Sequence, residues 1–315
     1  MTGSTALERF AASASDLGYR AGWAGVRYAP DRLARALFDR AGAFVGRRNG
    51  GPEQLRRNLA RVVGTSPEEV PDELVEAAVR SYARYWCEAF RLPAQDLAAT
   101  AQTVTLPPAD RALLDAALGR GRGVVLALPH SGNWDMAGVW LVQNYHSFAT
   151  VAERLQPESL FRRFVDYRES LGFEIFPLSG GEQPPFGRLA ERLRAGGIVC
   201  LLGERDIARH GVPVTFFGER TRMPAGSARL AIETGASLVP VHHWFTDAPN
   251  SMIGLAPDID VSGGVQAATQ ALADVFAANI AAHPADWHML QPLWEADWSQ
   301  RQRERVQGSR GDEHT

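Results

Sequence analysis

The stretch Gly123–Trp140, GVVLALPHSGNWDMAGVW, decides how the whole chain is interpreted. Its apolar run Val124–Leu128 is typical of a buried strand, and the run stops at Pro129. His130 and a short Ser-Gly-Asn segment follow. An aromatic-rich apolar segment that carries Asp135 comes next, and its pattern predicts the start of a helix. We therefore predict a strand, a loop and a helix. A histidine and a carboxylate lie at the carboxyl end of the strand, where open α/β sheets bind their ligands.

Length and composition favour a single globular domain. The chain has 315 residues, 45% of them hydrophobic, so it can bury a large core, and no internal repeat or linker divides it. We predict one domain over residues 1–298, with a basic amphipathic helical part at 1–66, and a polar, disordered tail at 299–315. Cys87 and Cys200 show neither metal-binding nor disulfide spacing, so we expect buried cytosolic thiols.

The charged residues narrow the chemistry further. All 33 basic residues are arginine, which excludes a lysine Schiff base and the lysine of a GxxxxGK[ST] phosphate loop. Residues 1–66 hold eleven arginines against five acidic residues, although the net charge of the whole chain is −3. The amino-terminal part is therefore the basic end of the protein.

A helix is predicted directly after Pro30, where apolar residues recur at helical spacing between arginines. The apolar positions are Leu33, Leu37, Phe38, Ala41, Phe44 and Val45, and the arginines are Arg32, Arg35, Arg40, Arg47 and Arg48. The pattern favours a helix whose apolar side packs on the core. The alternative, which the basic charge supports, is a helix lying in the interface of an anionic membrane. No run approaches the roughly 18 apolar residues of a span, so any membrane contact is expected to be peripheral.

The rest of the chain alternates short apolar runs with helical stretches. A helix after Ser66 carries an apolar row, Leu74, Ala78, Tyr82, Trp86 and Phe90, which we interpret as core. The predicted strands are Val124–Leu128, Phe148–Ala152, Phe173–Phe176, Ile198–Leu202, Leu238–Val241 and Met252–Leu255. The predicted helices are Asn133–Asn144, Pro157–Leu171, Pro185–Ala195, Ala225–Thr234 and Val265–Ala282. This βαβα order predicts an α/β fold with a largely parallel central sheet covered by helices on both faces.

His130 and Asp135 form an HxxxxD pattern with a clear chemical use. A neutral imidazole can take a proton from a hydroxyl, and a carboxylate on its other nitrogen fixes the tautomer and stabilises the imidazolium. Asp135 serves this purpose if the first helical turn folds its carboxylate under the ring. The alternative is a capping aspartate beside a loop histidine, because the pattern often arises by chance.

A second charged block follows another predicted strand. Glu204, Arg205 and Asp206 would lie at the same edge of the sheet as His130 and face the same crevice. An ordinary glutamate–arginine ion pair is the alternative interpretation. Glu204 thus competes with Asp135 as the orienting partner of His130, and the sequence does not separate the two.

Together the two blocks resemble a known family. HSGNWD, residues 130–135, is followed about seventy residues later by GERDIARHGVPVTFFGERTRMPAGSARLA. Both blocks in this order are similar to the late lipid A acyltransferase branch of the bacterial lysophospholipid acyltransferase superfamily, over about residues 20–298. Within that branch, the absence of lysine makes the chain most similar to the actinobacterial phosphatidylinositol mannoside acyltransferases. The resemblance implies an acyl-CoA-dependent O-acyltransferase with an apolar groove for the acyl chain, and neither a cofactor nor a metal.

The same resemblance implies roles for single residues. His130 matches the general base, and Asp135 matches the acidic residue of HxxxxD, which is glutamate in many lipid A relatives. Glu204 matches the carboxylate that pairs with the catalytic histidine. The positions implied in substrate binding are Arg205 and Asp206 in the second block, with Glu153 and Arg168 near a sugar-lipid acceptor.

The resemblance finally implies a reaction and a location. We expect direct transfer of a long acyl chain, palmitoyl, from acyl-CoA to a mannose hydroxyl of a phosphoinositide glycolipid, without an acyl-enzyme. The protein would be peripheral on the cytoplasmic face of the plasma membrane, in contact with the anionic inner membrane surface and not with nucleic acid. The alternatives are another lipid acceptor, an acyl carrier protein as donor, or non-catalytic lipid binding on the same scaffold.

Overall fold

The structure, a computed structural model, describes residues 25–154, 157–180, 183–206 and 211–298. The predicted tail at 299–315 and the start of the basic part lie outside these ranges. The helices are α1 Asp31–Arg47, α2 Glu53–Val63, α3 Asp72–Arg91, α4 Leu97–Ala101, α5 Pro108–Gly119, α6 Trp134–Tyr145, α7 Glu158–Ser170, α8 Pro185–Arg194, α9 Gly226–Thr234 and α10 Gly264–Ala282. The strands are β1 Val104–Thr105, β2 Val124–Leu128, β3 Ala149–Ala152, β4 Glu174–Pro177, β5 Ile198–Leu202, β6 Val212–Phe216, β7 Glu219–Met223, β8 Ser237–Phe245 and β9 Ser251–Leu255.

Seven strands form one sheet in the order β1-β9-β8-β2-β5-β3-β4. All neighbours in it are parallel except β8 and β9. One face packs against a core with α5, α6 and α7, and the other against a core with α8, α9 and α10. The predicted α/β fold, a largely parallel sheet flanked by helices, is confirmed.

Strand β2 lies at the centre of this sheet, between β5 and β8. Val124, Val125 and Ala127 are buried, as expected for a parallel strand covered on both faces. Leu128 pairs with Leu202, so β2 and β5 end at the same level. Whatever follows these two strands is therefore brought together at one edge of the sheet.

Two features of the sheet were not predicted. Strand β8 is longer than the predicted Leu238–Val241 because β9 turns back to pair with it in antiparallel register. The strands β6 and β7 form a separate antiparallel hairpin within the second charged block. Its turn places Phe217 and Gly218 at positive φ, 49° and 78°, a pair of conformations typical of a tight two-residue hairpin loop.

Helix α1 packs on α3 through its small residues. Ala34, Gly42 and Gly46 are buried, and a Cβ added at Gly46 would lie 2.7 Å from the Cα of Glu76. Because the two helices approach closely, the small residues of α1 face α3 and the large apolar residues of α1 are left exposed to solvent. The expectation that the apolar side of this helix packs on the core is therefore wrong.

The exposed apolar side of α1 is extensive. Leu33, Leu37 and Phe44 are 52%, 54% and 64% exposed, and Val45 is exposed beside them. The row predicted as the core of α3 is also only partly buried, because Tyr82, Trp86 and Phe90 remain half-buried. Within the described ranges, no helix has both the length and the apolar character needed to cross a membrane.

Candidate active site

His130 lies two residues beyond the end of β2, and Glu204 lies two residues beyond the end of β5. Because the last residues of these strands pair, the two side chains meet at the carboxyl edge of the sheet. The Nδ1 atom of His130 is 2.7 Å from Oε1 of Glu204, and the backbone N–H of His130 donates to the same oxygen at 2.6 Å. The two side chains are therefore in direct contact at this edge of the sheet.

This contact determines the chemistry available to the imidazole. Nδ1 must carry the proton when it bonds to a carboxylate, so Nε2 of neutral His130 is left as an acceptor. The His130 side chain is partly exposed, whereas Glu204 is fully buried. A basic nitrogen therefore faces an accessible space while the orienting carboxylate is shielded from water, the arrangement that general-base catalysis needs.

Glu204 is held in an aromatic environment. The indole N–H of Trp287 reaches its Oε1 atom at 3.4 Å, and Trp287 packs against Phe216 and Phe217 of the β6–β7 hairpin. Burial raises the pKa of the Glu204 carboxyl, but the charge of a protonated His130 and the hydrogen bonds from its ring and amide outweigh burial and lower it overall. Glu204 therefore stays ionised and can stabilise an imidazolium.

Asp135 has a different partner. It is buried in the first turn of α6, where Arg168 Nε donates to its Oδ1 at 2.7 Å and Nη2 donates to its Oδ2 at 3.3 Å. Tyr85 also donates a hydrogen bond to Oδ2, at 3.3 Å. No hydrogen bond joins Asp135 to His130 in the part of the chain that the structure describes. The carboxylate that contacts His130 is thus Glu204.

Arg168, placed by resemblance near a sugar acceptor, is partly buried and contacts the buried carboxylate of Asp135. Burial opposes its charge, but the carboxylate of Asp135 outweighs burial and raises the pKa of the guanidinium. The same carboxylate contributes, after burial, to the raised pKa of Tyr85. The hydrogen bonds of this cluster therefore join Tyr85, Asp135 and Arg168 to one another.

Glu153 and Arg205 form a second, exposed pair. Arg205 Nη1 lies 3.8 Å from Glu153 Oε2, at the carboxyl ends of β5 and β3, and both side chains are open to solvent. Asp206 accepts a hydrogen bond from the backbone N–H of Gly211 at 2.7 Å. The structure therefore groups Glu153 and Arg205 at this edge of the sheet, while Asp206 bonds to the backbone of Gly211.

Backbone contacts that no sequence pattern predicts hold the loop of residues 130–133. Gly132 N–H donates to the Asp286 carbonyl, and His288 N–H donates to the His130 carbonyl, both at 2.8 Å. The carboxyl-terminal segment thus pairs with the loop and fixes its path. A short segment far along the chain carries no pattern that marks such a role.

A buried histidine, also missed, supports the same loop from β8. The Asn133 N–H donates to His243 Nδ1 at 2.8 Å, and His243 Nε2 pairs with the Ser251 hydroxyl at 2.9 Å. Gly132 has φ +58°, and a Cβ there would lie 2.6 Å from the His243 carbonyl oxygen. Only glycine fits at this turn, because the loop presses against the strand.

An apolar cavity lies directly next to Trp134. Trp134 lines it and also packs edge-on against the His130 ring, with 5.4 Å between ring centroids. The cavity has a volume of about 110 Å³ and lies between the sheet and α6. Its walls include Leu114, Leu126, Leu128, Trp140, Leu141, Phe148, Phe173, Val241, Ile253 and Leu255. Asp135 and Arg168 are its charged lining residues in the described part of the chain.

Comparisons with known proteins agree with this geometry. A model of the family described as bacterial lipid A biosynthesis acyltransferases matches residues 9–296. A protein of Mycolicibacterium smegmatis named phosphatidylinositol mannoside acyltransferase is 62% identical over 293 residues, covering 93% of this chain and 95% of the relative. A protein of the same name from Mycobacterium tuberculosis is 58% identical over 292 residues, 92% of each chain. With a histidine–glutamate pair at the carboxyl edge of its sheet, the chain is an acyltransferase that belongs to the bacterial lipid A biosynthesis acyltransferase family.

Proposed function

We propose that this acyltransferase moves a long fatty acyl chain, palmitoyl, from acyl-CoA to a mannose hydroxyl of a phosphatidylinositol mannoside. The observation that carries the chemistry is the 2.7 Å contact between His130 Nδ1 and Glu204 Oε1, which leaves Nε2 free to act as a base. The His130 ring also contacts Trp134, which lines the apolar cavity. The acceptor is proposed from the names of relatives that are 58–62% identical over nearly the whole chain.

In the proposed mechanism, His130 Nε2 removes the proton of the acceptor hydroxyl as its oxygen attacks the thioester carbonyl. A carbon–oxygen bond forms and a tetrahedral oxyanion results. The carbon–sulfur bond then breaks, and the CoA thiolate leaves and takes the proton back from the imidazolium. Glu204 stabilises the imidazolium between these two transfers.

Backbone amides at the start of α6 are the donors that we assign to the oxyanion. The loop amides of Gly132 and Asn133 already donate to acceptors within the protein. By contrast, the amides of Trp134 and Asp135 have no acceptor among the described residues, as usual in a first helical turn. Donors aimed at a developing oxyanion are among the strongest contributors to acyl-transfer catalysis.

A direct transfer fits the cysteine that faces the cavity. Burial raises the pKa of the Cys200 thiol well above its usual range, so the thiol stays protonated and poorly nucleophilic. Cys200 is also part of β5 rather than of a loop beyond it. An acyl-enzyme on this residue would need a thiolate that its surroundings disfavour.

The cavity is the proposed seat of the acyl chain. An acyl group inserted between the sheet and α6 would replace empty space with apolar contacts, and its thioester would remain next to Trp134 and His130. The exposed pair of Glu153 and Arg205 is proposed to meet the sugar headgroup. Because Arg168 already bonds Asp135 in the cavity wall, we propose that it shapes the cavity rather than binding a sugar.

Helix α1 is proposed to seat the protein on the cytoplasmic face of the plasma membrane. Leu33, Leu37 and Phe44 are exposed on it, and Arg40 and Arg47 flank them. Apolar side chains between arginines fit the boundary between acyl chains and anionic headgroups. A peripheral protein held there would meet a lipid acceptor and a long-chain donor at the same surface.

The experiment that tests the proposed function is an assay of the purified protein with palmitoyl-CoA and a phosphatidylinositol mannoside, with the product identified by mass spectrometry. The expected product gains one palmitoyl ester, and free CoA appears in equal amount. Parallel reactions contain palmitoyl-acyl carrier protein as donor, or lysophosphatidate as acceptor. Transfer confined to either of these would overturn the proposed donor or acceptor, and binding without CoA release would overturn catalysis.

A further inference from the structure

A buried carboxylate outside the His130–Glu204 pair contacts the catalytic loop. Glu88 lies on α3, is 5% exposed, and its Oε2 atom accepts a hydrogen bond from Asn133 Nδ2 at 3.0 Å. Asn133 is fully buried and stands three residues after His130, at the end of the loop and the N-cap of α6. Glu88 therefore touches the loop at the point where it becomes a helix.

The other oxygen of Glu88 is held by two arginines. Arg84 Nε donates to Oε1 at 2.8 Å, and Arg35 Nη1 of helix α1 donates to the same atom at 3.2 Å. A buried carboxylate is stable only when it is paired and hydrogen-bonded, and here both oxygens have charged or amide donors. The two arginines fix the carboxylate, and the carboxylate in turn fixes the asparagine.

The side chain of Asn133 has no freedom to turn over. Its Oδ1 atom accepts from the Met136 N–H at 3.1 Å and caps the helix, while its Nδ2 atom donates to Glu88. Turning the amide over would set an NH2 group against an N–H and an oxygen against a carboxylate. One side chain thus joins the catalytic loop, the start of α6 and the buried carboxylate of α3.

We infer that Glu88 is a positioning residue for the acyl-transfer reaction, acting on the His130 loop through Asn133. This inference rests on the proposed function. A general base works only in the correct geometry, and a displacement of about 1 Å is enough to cost about 10²-fold in rate. Since Arg35 belongs to α1, the loop is tied through the same carboxylate to the helix with the exposed apolar side.

The test exchanges the amide of Asn133 and the carboxylate of Glu88 between the two positions. Asn133→Asp keeps a good N-cap but sets two carboxylates against each other, and Glu88→Gln presents an amide NH2 either to Asn133 or to the arginines. We expect each single variant to lower kcat about 10- to 100-fold with little change in KM for palmitoyl-CoA. The double variant Glu88→Gln/Asn133→Asp restores a hydrogen bond of reversed polarity, and its kcat should return to within about threefold of the wild type.

A third variant guards against misfolding. Asn133→Ser keeps the cap, removes the contact with Glu88 and adds no charge, so it should fold and still lose about tenfold in kcat. The matched control is Glu76→Gln, because Glu76 joins the same two helices through Arg47, at 2.7 Å, and lies about 18 Å along α3 from Glu88. This control should keep the wild-type kcat.

Two results would overturn the inference. In the first, both Asn133→Ser and Asn133→Asp have the kcat of the wild type. In the second, the double variant has a kcat no higher than that of the slower of its two single variants. Wild-type enzyme and His130→Ala are assayed alongside. If the wild type makes no acylated glycolipid, the proposed function fails. If the wild type makes the acylated glycolipid, His130→Ala makes none and the Asn133 variants are as active as the wild type, the proposed function stands and only the role of Glu88 fails.

Discussion

His130 and Glu204 contact each other because the strands that precede them are in register. Leu128 of β2 pairs with Leu202 of β5, each functional residue follows two positions later, and the imidazole Nδ1 lies 2.7 Å from Oε1. The pairing of two adjacent parallel strands therefore sets the geometry of the base. Asp135, although only five residues from His130, belongs to the next helix and bonds Arg168 instead.

Glu204→Gln should slow acyl transfer strongly. The amide can still fill the space, but it cannot offset the charge of the imidazolium or enforce the Nδ1–H tautomer, so kcat is expected to fall by about 10²- to 10⁴-fold. The measurement is steady-state turnover of palmitoyl-CoA, with circular dichroism to confirm folding. A folded variant that keeps more than a tenth of the wild-type kcat would remove Glu204 from the mechanism.

Asp135→Asn should affect stability more than the catalytic step. It leaves the charge of Arg168 buried without a carboxylate, and we expect a loss of about 3 kcal/mol in the free energy of unfolding. The double variant Asp135→Asn/Arg168→Met removes the buried charge as well and should recover part of that loss. Urea titration measures both. A single variant as stable as the wild type, with kcat reduced as far as in Glu204→Gln, would instead make Asp135 the working partner of His130.

The stability of the fold should fall as the pH drops below about 6.5. Burial, the largest cause, lowers the pKa of His243 and of His288 from 6.5 to about 3. Between these values the unfolded chain binds protons at the two histidines and the native state does not. The stability that depends on these histidines is therefore fully present above about pH 6.5 and is lost as the pH falls toward 3. Each histidine should contribute about 1 kcal/mol of loss between pH 7.5 and 5.5.

Urea unfolding at several pH values in that interval tests this expectation. His288→Gln should reduce the slope of the unfolding free energy against pH by no more than about a third, because burial also lowers the pKa of His242, to about 4, and of His243. A wild-type stability that does not change between pH 7.5 and 5.5 would show that the buried histidines are protonated or accessible in the native state.

Charged substitutions on the exposed side of α1 should weaken membrane binding without unfolding the protein. We expect Leu37→Glu/Phe44→Glu to lower binding to vesicles of anionic phospholipid at least about tenfold, since it removes apolar contact and adds repulsion. The midpoint of thermal unfolding should stay unchanged, because both side chains are already exposed.

The matched control for α1 is Leu113→Glu. Leu113 is an exposed apolar residue on α5, outside the proposed membrane side, and its substitution should leave vesicle binding as it is. Flotation of vesicles with each variant gives the comparison. Equal binding of the α1 variant and the wild type would contradict the proposed location of the protein on the membrane.

The central sheet was predictable because its strands are buried on both faces. Val124–Leu128 and Ile198–Leu202 were predicted with the bounds that the structure has. Each is a continuous apolar run that begins after a glycine and stops at a proline or a glycine, which leaves little choice of length. The β6–β7 hairpin was missed because its strands expose alternate residues and carry Pro213 within the run. Local pattern identifies elements with a strong apolar period and overlooks small hairpins.

The site was predictable only where a motif marks it. His130 and Glu204 each follow a strand end, so sequence order alone places them at one edge of the sheet. The choice between Asp135 and Glu204 depended on strand order and register, which no single stretch encodes. His243 and the segment around Asp286 act through tertiary contacts, and the outward side of α1 followed from small residues packing on α3.

The most direct test of the central claim is the rate of palmitoyl transfer by His130→Ala. In a folded variant the base is missing while the cavity and the charged pairs remain, so kcat for formation of the acylated mannoside should fall by at least about 10²-fold. The wild type, assayed with palmitoyl-CoA and a phosphatidylinositol mannoside, sets the reference. A folded His130→Ala protein that turns over within about tenfold of the wild type would contradict general-base catalysis by His130.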